Sequence, residues 1–175
     1  MAKPDAVLVA GVAAGAVLPH IQLVDAGYKG TIYHTHGSAS GAFIQIGCKK
    51  AEGALVVGPL LLVPDQIADS VPSKKVTLEY VNSYEKMFGA RPPIFGAGTY
   101  DAGLLLANAI PEAAKKGKPG TQEFRSALRD ALERTKDLIA SQGVITMTAQ
   151  DHSGFDQRGR VLLTVKDGKF VLVKD

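Results

Sequence analysis

Tryptophan is absent from this chain, and aromatic residues of all kinds make up only 6% of its 175 residues. Binding of single-stranded nucleic acid relies on aromatic platforms for base stacking and on a clustered basic face. Here 20 Lys and Arg stand against 17 Asp and Glu for a net charge of +3, and Lys115, Lys116, Arg125, Arg129 and Arg134 are scattered among acids. No nucleic-acid partner is expected. A single cysteine, Cys48, excludes an intrachain disulfide and is read as a small buried hydrophobe. No window holds the ~20 apolar residues that a membrane-spanning helix needs. Repeats and low-complexity tracts are also missing.

What is present is a rhythm of short apolar runs, small-residue turns and helices. Residues 6–11, 31–37 and 53–59 are apolar runs bounded by Gly or Pro, the pattern of strands buried on both faces of a parallel sheet. Residues 14–26 place Val17, Leu18, Ile21 and Val24 at helical spacing, and Gly27 ends the segment. A second helix is expected from Ser38 or Ser40, either of which can cap it. The order is βαβαβ. In open α/β sheets ligands bind beyond the carboxyl ends of the strands, so the residues just after each run are the first candidates for function.

Pro59, Pro64 and Pro72 then break the texture, and the chain is expected to leave one body for another. After Ser73 an amphipathic helix carries Val76, Tyr80, Val81, Tyr84, Met87 and Phe88 on one stripe. A second helix, over residues 99–116, is apolar around most of its circumference, which implies burial against more protein than the chain itself offers. A third begins at Thr121 as N-cap and presents Phe124, Leu128 and Leu132. Strand character returns at residues 144–148, and residues 160–165 join residues 169–173 through Lys166-Asp167-Gly168 as a hairpin.

The order of these elements, with the phrases Asp5-Ala6-Val7-Leu8-Val9-Ala10-Gly11, Ala26-Gly27-Tyr28-Lys29-Gly30, Ala51-Glu52-Gly53-Ala54, Thr99-Tyr100-Asp101-Ala102 and Val165-Lys166-Asp167-Gly168-Lys169-Phe170, resembles the C-terminal portion of the type I periplasmic solute-binding proteins of the branched-chain-amino-acid type, which serve ABC importers. The resemblance covers nearly the whole chain. It implies an α/β fold with a parallel βαβ lobe in residues 1–63, an interlobe crossing and a helical segment of the other lobe in residues 64–143, and C-terminal strands in residues 144–175 returning to the sheet. It also implies that the N-terminal lobe sheet and the opening βαβ of the C-terminal lobe are absent, so that the chain holds one jaw and some helices of the other. The wording of residues 33–37 with Pro59-Leu60 is nearest to receptors for aromatic carboxylates.

Matched residue by residue, the resemblance assigns ligand contacts to Gly11, Val12 and Ala13 after the first strand, to His34, Thr35 and His36 after the second, to Pro59 and Leu60 after the third, and to Ala97, Gly98 and Tyr100 from the other lobe. Where amino-acid receptors offer a carboxylate to the ligand ammonium, this chain has His36. A histidine donates a hydrogen bond and, when protonated, attracts an anion, which points to an acid without an amine. Two imidazoles at His34 and His36 also suit a metal or a plain structural role, but a third ligand is missing nearby, and neither a metal nor a cofactor is expected. Asp151-His152-Ser153 has the residue types of a hydrolytic triad in a contiguous order that seldom gives triad geometry, so it is read as a solvated turn. Gly96-Ala97-Gly98 lacks the spacing of a dinucleotide loop.

The function expected is non-catalytic capture of a small organic acid, by preference an aromatic carboxylate, with the membrane permease of an ABC importer as partner. The alternative is a truncated relic or assembly module that forms a homo-oligomer, by exchange of elements between copies, without a ligand. Lys3 followed by the apolar residues 6–18 has the order of a secretory signal, but Asp5 interrupts it and the run passes directly into a helix. A periplasmic location is expected from the resemblance alone.

Overall fold

A computed structural model describes residues 3–174 of the chain, which form two compact units. Of the described residues, the first unit comprises 3–67 and 160–174, the second 68–159. In the first, strands β1 (Ala6–Val9), β2 (Thr31–His34) and β3 (Leu55–Gly58) run parallel, joined by helices α1 (Ala14–Asp25) and α2 (Gly41–Gly47). Ser40 caps α2 by accepting a hydrogen bond from the Phe43 amide.

The hairpin of β6 (Val161–Lys166) and β7 (Lys169–Leu172) completes the five-stranded order β1-β2-β3-β6-β7. Both of its strands pair antiparallel, so the expected hairpin adds an antiparallel side to the parallel βαβ strands. The hairpin turn is fastened by Glu52, whose carboxylate accepts from the backbone N–H of Asp167 and of Gly168 at 3.0 and 2.8 Å.

The strands are covered on one face only. Val9, His34, Val56 and Leu163 lie in register on the face packed by α1 and α2, with Val17, Ala39, Phe43 and Ala51 filling the space between. One residue earlier, Leu8, Tyr33 and Leu55 lie in register on the opposite face, and no helix of this unit covers them. Burial on both faces, expected from the apolar runs, is therefore met on one. Cys48 also departs from expectation: it is exposed, with φ +48°, at the end of α2.

The second unit holds α3 (Lys74–Phe88), α4 (Ile94–Ala114), α5 (Gln122–Leu132) and a small ribbon of β4 (Leu138–Ile139) with β5 (Val144–Ile145). Gly89 ends α3 in the left-handed conformation, and Thr121 caps α5 by accepting from the Phe124 amide. The α4 helix starts earlier than the sequence suggested, directly after Pro93, whose fixed φ suits a helix entrance. The buried carboxylate of Asp101 on α4 accepts from the backbone N–H of Ser141 and of Gln142 at 2.7 and 3.2 Å. Thr77 on α3 donates to the Ser141 carbonyl at 2.6 Å. These bonds satisfy a buried loop that would otherwise carry unpaired backbone groups.

The unit boundaries differ from the sequence-derived segments at two places. Residues 64–67 stay with the sheet, where the Gln66 side-chain oxygen accepts from the Leu172 amide. Val144 and Ile145 pair with Leu138 and Ile139 and do not return to the main sheet, because residues 140–143 turn the chain straight back on itself.

Candidate functional site

Parallel pairing puts the carboxyl ends of β1, β2 and β3 on one rim, where Val9 lies beside His34 and His34 beside Val56. From this rim the chain enters three loops. After β1 comes residues 10–13, and Ala13 stands at the entrance of α1 with φ +48° and ψ −128°, a strained backbone for alanine. After β2 comes Thr35 and a 3-10 turn, His36–Ser38, closed by the Ser38 amide on the Thr35 carbonyl.

Two glycines let these loops touch. A Cβ on Gly37 would lie 2.5 Å from the Gly11 carbonyl oxygen and 2.8 Å from a Val12 methyl. A Cβ on Gly11 would lie 2.8 Å from the Gly15 carbonyl oxygen in the first turn of α1. Val12, Ala13 and His36 are exposed on the surface so made, and Gly11, Thr35 and Gly37 are half-buried. Neighbouring protein shields the His36 imidazole enough to hold its pKa below the ordinary 6.5. At neutral pH the ring is an uncharged N–H donor.

His34, grouped with His36 in the sequence reading, is placed otherwise. Strand alternation turns its side chain to the helix-covered face, where it is 1% exposed. Its Nε2 lies 2.9 Å from His20 Nδ1, its Nδ1 3.2 Å from Ser38 Oγ, and His20 Nε2 lies 2.7 Å from the Lys50 carbonyl oxygen. The carbonyl can only accept, so His20 Nε2 carries the proton and its Nδ1 accepts from His34 Nε2–H. The His34 Nδ1 in turn accepts from the Ser38 hydroxyl. Every nitrogen of the pair has a partner.

Burial, and secondarily the neighbouring His20, lowers the His34 pKa to about 4. Phe43 lies edge-on to both rings, 4.7 Å from His34 and 5.9 Å from His20 between centroids. This relay ties the loop bearing His36 to α1 and to the turn after α2. Ser38 and His20 were missed in the sequence, although His20 falls on the apolar stripe of Val17, Ile21 and Val24.

The remaining assigned residues are distributed unevenly. Pro59 and Leu60 follow β3 on the same rim but are buried. Ala97, Gly98 and Tyr100 belong to α4 in the second unit, where Ala97 is fully buried, Gly98 exposed, and Tyr100 lies 4.8 Å from Tyr80 between ring centroids. Among the described residues no cluster of three His, Cys, Asp or Glu side chains is arranged to hold a metal.

The second unit also has an open apolar groove of about 450 Å³ lined by Leu128, Leu132 and Met147, with Arg125, Arg129, Glu133 and His152 on its walls. His152 Nε2 lies 3.3 Å from Glu133 Oε1. Asp151 instead accepts from the Ser153 amide, as in a solvated turn, so the three triad residue types do not converge.

A family model described as periplasmic binding protein matches residues 1–169. Rp1789 of Rhodopseudomonas palustris is 47% identical with a TM-score of 0.92, covering 98% of this chain and 48% of that one. An extracellular ligand-binding receptor of Rhodopseudomonas palustris HaA2 is 46% identical, with the same TM-score and coverages. The fold is shared with the leucine-binding protein LivK of Thermotoga maritima, at 24% identity and a TM-score of 0.73 over 98% of this chain and 44% of that one. No curated protein matches. The chain thus spans about half the length of the solved structures it resembles.

Proposed function

This chain belongs to the type I periplasmic binding proteins, and from that premise we propose that it forms part of a solute receptor that captures a small organic acid, by preference an aromatic carboxylate, for an ABC importer in the periplasm. No bond is made or broken. The observation that carries the reading is the seating of the His36 loop on the loop after β1, through the close approach of Gly37 to Gly11 and Val12. This brings an exposed N–H donor beside the amino end of α1, whose dipole favours an anion. Val12 offers an apolar wall for a ring, and none of Gly11, Val12, Ala13, Thr35 or His36 is a carboxylate able to hold an ammonium.

In this arrangement the His36 imidazole donates to the ligand carboxylate, close to the entrance of α1 at Ala13. Thr35 supplies a further hydroxyl on the same loop. His34 acts from behind, by fixing Ser38 and so the loop. The partner of the whole receptor is a membrane permease.

The test is titration of the chain with benzoate and with leucine, followed by the ring proton signals of its four histidines. Benzoate is expected to shift His36 and to raise its pKa toward or above 6.5, so that binding strengthens as pH falls from 8 until the benzoate itself begins to protonate near its pKa of roughly 4. His36→Ala is expected to weaken binding by about tenfold, the loss of one hydrogen bond to a charged group. Equal response to benzoate and leucine, or a benzoate response unchanged in His36→Ala, would overturn the reading.

A further inference from the structure

The hydrogen bonds beneath the His36 loop have a fixed direction. The Lys50 carbonyl closes their far end and only accepts, so each proton points the same way: from Ser38 to His34 Nδ1, from His34 Nε2 to His20 Nδ1, and from His20 Nε2 to Lys50. Ser38 is fully buried, and its hydroxyl hydrogen is held by His34 rather than by water. The same residue fixes the loop through its backbone, its amide donating to the Thr35 carbonyl at 3.0 Å and its carbonyl accepting from the Ser40 amide at 2.8 Å.

One added proton reverses this order at Ser38. If His34 takes it, Nδ1 becomes a donor aimed at Ser38 Oγ. If His20 takes it, its Nδ1 donates to His34 Nε2, and His34 then carries its own proton on Nδ1, again aimed at Ser38. Either way the Ser38 hydroxyl loses the acceptor it has, in an interior where an unpaired donor is costly.

The surroundings offer the added proton no counter-charge. On α1 the Asp25 carboxylate is held at the surface by the Lys50 ammonium at 2.7 Å. Glu52, in the pocket that His20 lines with Tyr28 and Lys29, is taken up by the Asp167 and Gly168 amides. Helix α2 presents Phe43 and carries no titratable side chain, and Cys48 and Lys49 after it are exposed. Val9 and Val56 flank His34 on β1 and β3, strands without a titratable group. His36, in the loop itself, is a second site for a proton and not a partner for one.

We infer that the His20–His34–Ser38 chain is an acid-operated latch on the ligand loop: it keeps the loop seated while His34 Nδ1 accepts from Ser38, and lets go when the pair takes up a proton, so that a captured acid is released in strongly acidic surroundings. The release rests on the carboxylate reading, whereas the latch itself does not. While the pair carries no added proton, a ligand at the rim leaves its ring signals in place.

The test follows the Gly37 amide signal of the ligand-free chain, together with the ring signals of His20 and His34, as pH is lowered. Gly37 is expected to shift with the midpoint of the pair, both in the unaltered chain and in His36→Ala. In Ser38→Ala the rings are expected still to titrate while Gly37 no longer follows them, a separation that a merely structural serine would not produce. A Gly37 response that survives in Ser38→Ala, vanishes in His36→Ala, or is missing while the rings titrate would overturn the inference. So would loss of the native Val9 and Val56 amide signals at the same midpoint, since the whole sheet would then be opening.

A second arm reads capture. The ratio of benzoate dissociation constants between Ser38→Ala and the unaltered chain cancels the ionisation of benzoate itself, and it is expected to fall from about tenfold at pH 7 toward unity below the midpoint. A ratio constant across the midpoint would overturn the release. Absence of any benzoate response at either pH counts against the carboxylate reading instead, and Gly37 still decides the latch.

Discussion

The two faces of the sheet differ by a single step along each strand and by almost everything else. On one, Val9, His34, Val56, Leu163 and Leu172 run in register across all five strands under α1 and α2. On the other, Leu8, Tyr33, Leu55, Thr164 and Val171 run in register with no helix of the unit above them. The bare row is as apolar as the covered one, and the covered row holds the histidine. Residue type alone therefore does not say which face is the core. Where the helices lie does, and a polar pair is accepted beneath them because each of its nitrogens has a partner.

The largest expected consequence of that difference is in stability. Phe43→Ala, which empties the space against His20 and His34, should cost about 3–5 kcal/mol by urea denaturation. Tyr33→Ala on the bare face should change the stability of the lone chain by less than about 1 kcal/mol. A comparable loss at Tyr33 would mean that its face is already covered.

The next effect is on pH dependence. The His34 pKa is about 4 in the folded chain, below the ordinary 6.5 that it regains on unfolding. As pH falls the unfolded state binds the proton first, so stability is full above about pH 6.5 and declines toward pH 4, by about 3 kcal/mol for this group. His34→Gln should flatten that part of the profile, as read from melting temperatures across the range. An unchanged slope would place the proton uptake elsewhere. Ser38→Ala, which leaves His34 Nδ1 without its donor, should cost a further, smaller amount, about 1–2 kcal/mol. The smallest expected effect is Leu8→Lys in the lone chain, within about 0.5 kcal/mol.

Much of this organisation was legible in the sequence, because it rests on local signals. The Gly-bounded runs gave β1 to β3, Ser40 and Thr121 gave the helix caps, and Lys166-Asp167-Gly168 gave the hairpin. The family followed from the order of those elements, and the match to residues 1–169 agrees with it. What was not legible depends on partners distant in sequence. The antiparallel entry of β6 beside β3 joins residues more than a hundred positions apart.

The rim was readable as a rim, from strand direction alone, but the division of labour between His34 and His36 was not. Two residues with the same side chain, two positions apart, differ in burial: His34 inside the strand is held to its pleat and buried, and His36 in the 3-10 turn is exposed. The buried relay through His20 needed α1 to be laid across β2 before it could be seen. The bare face was hidden for a simpler reason, since an apolar strand reads the same whether or not something covers it.

The account rests on the rim at the ends of β1 and β2 being the place where a ligand acid is held. The most direct measurement is the pH titration of all four histidine ring signals with and without benzoate. It is expected to move His36 alone, raising its pKa, while His20 and His34 keep their shifts because their nitrogens are already engaged. A benzoate response confined to His152, beside the groove of the second unit, or absent from His36 at saturating benzoate, would contradict it.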